Sequence, residues 1–104
     1  MGVKPLPIQW AEPAEANLDR ILSYIEVENP SAARELYARL MAVLDQASRF
    51  PDLAPHLPDL GRSYRELLAV RPFRVVYRTG GSVLRVIAVL RQEQEFDPQR
   101  FLEH

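Results

Sequence analysis

Cysteine is absent from this 104-residue chain, and lysine occurs only once, at Lys4. The missing cysteine excludes a disulfide framework, a thiolate metal site and a thiol nucleophile. Histidine is nearly absent too: His56 and the terminal His104 are the two copies. A metal site or an imidazole-based catalytic pair therefore has little to draw on. No run of 18 apolar residues occurs, so no segment reads as a spanning helix. The opening Met1-Gly2-Val3-Lys4-Pro5 lacks the apolar stretch of a signal peptide, and a cytoplasmic location is expected. What is present is a hydrophobic fraction of 47% and a net charge of −1. That balance argues against disorder and fits one domain with one core. Residues 1–101 are read as that domain, and Leu102-Glu103-His104 as the start of a purification-tag scar.

The near-zero charge is a cancellation. Residues 1–60 carry a net −4, residues 61–92 a net +6 and residues 93–104 a net −3. The central block holds seven arginines against Glu66 alone. A planar guanidinium suits carboxylate and phosphate equally well, so the block marks a partner surface wherever it is exposed.

Hydrophobic spacing gives the elements. Leu6 to Trp10 reads as a short extended segment, with Pro5 and Pro7 confining it to an edge. Ala14, Leu18, Ile21, Leu22 and Ile25 form a helical stripe, with Pro13 in the first turn and Glu12, Glu15 and Asp19 near the N-terminus. Asn29 is placed to cap a second helix that opens on Pro30. Its stripe runs through Ala33, Leu36, Tyr37, Leu40, Met41, Leu44 and Ala47, and Phe50-Pro51 ends it. So short a connection predicts an antiparallel helix hairpin. Residues 51–62, with Pro51, Pro55, Pro58 and Gly61, read as an irregular loop. Trp10 and Tyr37 are expected in the core, and Tyr24, Tyr64 and Tyr77 with them.

The basic block has strand character over Arg65–Val70, Phe73–Arg78 and Val83–Leu90. Gly80-Gly81 signals a two-residue hairpin loop, which would set Thr79 opposite Ser82. Phe73, Val75, Tyr77, Leu84, Val86, Ala88 and Leu90 would then share an uncharged face beneath the helices. Arg74, Val76, Arg78, Val83, Arg85, Ile87, Val89 and Arg91 would form the opposite face. The expected architecture is α+β, in the order β-α-α-β-β-β: a helix hairpin on one side of a mainly antiparallel sheet.

This order, with these residues, resembles the RelE/ParE superfamily of type II toxin–antitoxin toxins, on its ParE-like, plasmid-stabilisation branch. The matching stretches are Ala16 to Ile25, Asn29-Pro-Ser-Ala-Ala33, Phe50-Pro51, Leu60-Gly61 and Arg65-Glu-Leu67. Phe73-Arg-Val-Val-Tyr-Arg78 and Val86-Ile-Ala-Val-Leu90 complete them. The resemblance implies a toxin neutralised by a cognate antitoxin that wraps it. RelE-like members of the superfamily cut messenger RNA in the ribosome, whereas ParE-like members share the fold and are associated with inhibition of DNA gyrase.

The nuclease reading needs proton-transfer groups as well as cations. Carried over from the nuclease branch, Arg65, Arg74 and Arg91 supply basic residues, with Gln92 as the alternative to Arg91. The tail Gln92-Glu-Gln-Glu-Phe-Asp-Pro98 brings no Tyr or His where that branch keeps one. Arginine stays charged and moves protons poorly. Glu66, by strand parity, falls on the opposite face from Arg65, towards the helices or an edge. Gly80-Gly81 is a turn and not a phosphate loop, since no helix with Lys-Ser/Thr follows. No cofactor or metal is implied.

The residues favour a gyrase inhibitor that acts by binding, with a messenger RNA endonuclease as the alternative and an inactive antitoxin partner as a third possibility. The Arg/aliphatic face is the expected antitoxin contact, since arginines among apolar groups are a common interface composition. A solvated face decorated for solubility is the plain alternative. Direct tight nucleic-acid binding is not expected, because the face offers few aromatics for stacking bases. A homodimer or a toxin–antitoxin hetero-oligomer is compatible with the pattern, and the tail after Leu90 is a candidate contributor to the gyrase contact. Arg74→Glu with Arg85→Glu is expected to weaken antitoxin binding and leave the fold intact.

Overall fold

Two helices pack on one face of a four-stranded mixed sheet, in the chain order β1 (Ile8–Trp10), α1 (Glu12–Glu28), α2 (Pro30–Arg49), β2 (Tyr64–Val70), β3 (Phe73–Gly80) and β4 (Val83–Arg91). The structure, a computed structural model, describes residues 4–57, 60 and 63–97. Pro58, Gly61, Pro98, Arg100 and the 102–104 segment lie outside the described residues.

The sheet order is β1-β4-β3-β2. β1 runs parallel to β4 at one edge, with Ile8 opposite Leu84 and Trp10 opposite Val86. Pro7 has no amide to give, but its carbonyl accepts from Leu84 N at 2.9 Å, as an edge position allows. The other pairings are antiparallel. β2 turns into β3 through Arg71-Pro72, a cis peptide, and Arg39 on α2 donates to the Arg71 carbonyl at 3.0 Å.

The helices start where the sequence directs. Pro13 lies in the first turn of α1 together with Glu12 and Glu15. The Asn29 side chain accepts from Ala32 N at 3.0 Å, capping α2, and Pro30 fills a position that has no intrahelical donor duty. Ala14 and Leu18 of α1 and Leu36, Leu40 and Leu44 of α2 are buried against Val75, Tyr77, Leu84 and Val86 of the sheet.

The β3–β4 hairpin departs from the expected register. The loop residues are Gly81 and Ser82, with φ of 60° and 67°, so Gly80 pairs with Val83 and Thr79 with Leu84. Positive φ at both central positions is the type I′ requirement, and Ser82 meets it in place of Gly80. This shift moves every pair by two residues and leaves the faces unchanged. A second irregularity does change them. Tyr77 pairs with Val86 while Val76 pairs with Ala88, which leaves Ile87 as an extra residue in a β-bulge. Beyond a bulge the alternation of side chains is reversed.

Past Ile87, therefore, Val89 and Arg91 stand on the helix side, opposite Val75 and Phe73. Ala88 and Leu90, expected beneath the helices, instead join Val76 and Ile87 in a second apolar cluster on the far face. Leu57, Tyr64 and Phe96 pack over that cluster. The loop after α2 and the tail after β4 thus cover a face that the strand pattern alone leaves bare.

The tyrosines divide. Tyr77 is fully buried and Tyr64 packs on the second cluster. Tyr24 is 79% exposed and Tyr37 is half exposed, so neither belongs to the core as expected. Tyr24 falls outside the Ala14–Ile25 stripe, and Tyr37 stands at the margin of its own stripe.

Candidate functional site

The eight residues expected to form one exposed face do not form one. Val76, Ile87 and Val89 are buried, with Val76 at 0% exposure, and Val89 and Arg91 have crossed to the helix side. Arg74 sits in an ion pair with Glu66, Nη1 to Oε2 at 2.7 Å, and also donates to the Gln94 carbonyl. Arg78 is exposed above the Tyr64 ring at 6.0 Å, and Val83 and Arg85 are half-buried near the turn. The patch at the turn end of the hairpin is what remains of that face.

Arg65 has a structural task as well. It lies across from Tyr77, on the helix side of edge strand β2. Its guanidinium donates to the Asp52 carbonyl at 3.0 Å and the Ala54 carbonyl at 2.6 Å, and meets the Asp52 carboxylate at 3.5 Å. Tyr77 Oη donates to the Pro51 carbonyl at 2.8 Å, beside these bonds. Burial pushes the Tyr77 phenol above its ordinary 10.0, the Arg65 charge opposes that rise and the Asp52 carboxylate adds to it. Together they hold residues 51–54 against β2 and β3. Glu66 points the other way, towards Arg74 and not towards the helices.

Arg65, Arg74 and Arg91 are consequently not brought together. Arg74 is on the far face, whereas Arg65 and Arg91 are on the helix side. Arg65 pairs with Tyr77 and Arg91 with Phe73, positions about 13 Å apart along β3. Among the described residues, no group of three His, Asp or Glu side chains could hold a metal ion.

A surface with unspent chemistry is the groove between α1 and the adjoining ends of β3 and β4, of about 300 Å³. Its apolar floor is Ile21, Ile25, Phe73 and Val89. Arg20 and Arg91 stand at its walls with Tyr24, Asn17 and Gln94. The Arg91 guanidinium lies over the Phe73 ring at 5.6 Å, which fixes one cation beside the floor. Asn17 Oδ1 is buried with no hydrogen-bond partner among the described residues, a cost that an incoming N–H would remove. Apolar floor, two guanidiniums and an unused acceptor together suit a peptide segment that carries carboxylates among aliphatic side chains.

Sequence reasoning reached Val89 and Arg91 for the wrong face and missed Asn17, Arg20 and Tyr24. The missed residues lie at i, i+3 and i+7 on α1, a polar and aromatic strip flanking the apolar stripe. That spacing was the available signal.

Comparison with known proteins agrees with this architecture. The family described as "ParE toxin of type II toxin-antitoxin system, parDE" matches residues 8–96. The chain belongs to that family. A relative from Sinorhizobium fredii (strain NBRC 101917 / NGR234), named "Putative toxin Y4kP", is 33% identical over 90 residues, covering 86% of this chain and 91% of that protein. A solved structure described as "Chromosomal ParDE TA system from P. aeruginosa" shares the fold with a TM-score of 0.70 at 21% identity. It covers 85% of this chain and 97% of that one. No helix among the described residues is long and apolar enough to cross a membrane.

Proposed function

We propose that this ParE-family toxin acts in the cytoplasm by binding, inhibiting DNA gyrase without cutting a substrate, and that a cognate antitoxin silences it from the groove beside α1. The observation that carries the reading is how the arginines are used. Arg65 and Arg74, two of the three that RNA cleavage would need, are spent on loop carbonyls and on Glu66. Arg20 and Arg91 line an open apolar groove. An antitoxin segment with Asp or Glu among Leu or Val would pair its carboxylates with Arg20 and Arg91 and lay its aliphatic groups on Ile21, Ile25 and Val89. Arg78, Val83 and Arg85 at the hairpin turn offer it a second, smaller contact.

The enzymatic alternative has a direct test. Translating ribosomes incubated with the purified chain are expected to keep their messenger RNA intact. Codon-spaced cuts in that RNA, lost in Arg74→Ala or Arg91→Ala variants that remain folded, would transfer the reading to the nuclease branch.

A further inference from the structure

We propose that a second copy of this chain covers the outer side of the helix hairpin, forming a two-fold dimer through α1 and α2. A shallow depression of about 410 Å³ lies between the helices there, away from the groove that faces β4. Leu22 and Ala33 give it an apolar floor, and the half-exposed Tyr37 lines it. Glu26 of α1 and Arg34 of α2 line the same depression. Among the described residues neither is in an ion pair, and the polar contact of Arg34 is with Ser31 Oγ at 3.5 Å.

This arrangement is self-complementary, which an isologous contact requires. A two-fold axis running between the helices and parallel to them lays α1 of one copy on α2 of the other, in antiparallel directions. Glu26 then meets the second copy's Arg34, and the reciprocal pair forms at the same time. Leu22 and Tyr37 meet in the same reciprocal way, giving a four-helix contact of ordinary geometry. A partner carrying charge of one sign would satisfy either Glu26 or Arg34 and oppose the other. A second copy satisfies both.

Sedimentation of the chain alone across about 1 to 100 µM tests this. A concentration-dependent dimer is expected. Glu26→Arg and Arg34→Glu, both at exposed helix positions, are each expected to weaken it at least about tenfold. The double variant that exchanges the two charges is expected to restore it, because the cross pairs re-form with reversed sign. A monomer throughout that range would overturn the proposal. So would a double variant as weak as either single one, or a dimer indifferent to Tyr37→Ala. A parent chain that sediments as a monomer, and whose antitoxin binding is lost in Glu26→Arg, would give the depression to the antitoxin instead.

Discussion

Arg74 and Glu66 face each other at 2.7 Å across β3 and β2, on the sheet face turned away from the helices, with side chains only 12% and 19% exposed. Arg74 also holds the tail through the Gln94 carbonyl, so one guanidinium ties two strands and the segment after β4 together. An ion pair this buried is costly to break from one side, since the remaining charge is left unpaired. Glu66→Ala should therefore lower stability by about 3 kcal/mol in urea unfolding. Arg74→Glu should cost at least as much by setting two carboxylates against each other. The charge-reversal variant that the sequence recommends as fold-neutral at Arg74 is thus expected to be a folding variant. Replacing the pair with Leu and Met should recover most of the loss.

The buried Tyr77 phenol predicts alkaline sensitivity. Its folded pKa lies above the ordinary 10.0 because burial disfavours the phenolate. Above that ordinary value the unfolded chain ionises its tyrosine while the folded chain does not, so the unfolded state binds fewer protons and stability falls as pH rises. Urea unfolding at about pH 9 and about pH 11 should show a larger loss in the parent chain than in Tyr77→Phe. At neutral pH the same variant should be about 1 kcal/mol less stable, having lost the bond to the Pro51 carbonyl.

Arg20→Glu with Arg91→Glu should weaken antitoxin binding by about two orders of magnitude in calorimetry. The thermal midpoint of the toxin should change little, since neither arginine is in an ion pair among the described residues. An unchanged affinity would remove the groove beside α1 from the antitoxin contact.

Asn29→Ala should cost about 1 kcal/mol, because the Asn29 side chain satisfies the Ala32 amide at the start of α2. Denaturant unfolding with a midpoint shift and an unchanged slope would identify the loss as one of stability alone.

The helices, their cap, the order of elements along the chain and the edge position of β1 were legible because each rests on local chemistry: the stripes of α1 and α2, Asn29-Pro30, and Pro7 at an edge. The faces of β4 were legible only as far as Ile87. Nothing in Val86-Ile-Ala-Val-Leu90 announces which residue will be the extra one, because a bulge is decided by packing on both faces at once. Ile87 and Ala88 both bury on the far side, and Val89 returns to the helices with Arg91. The same limit applied to Arg65 and Arg74. Their charges were visible in the sequence, but the Ala54 and Gln94 carbonyls that engage them come from segments without any periodicity to read.

Gyrase inhibition by binding is tested most directly by plasmid supercoiling with purified gyrase in the presence of this chain, with the antitoxin then added in rising amounts. The chain is expected to suppress supercoiling, and antitoxin to restore it as the toxin becomes saturated. Undiminished supercoiling at toxin well above the gyrase concentration would contradict gyrase inhibition.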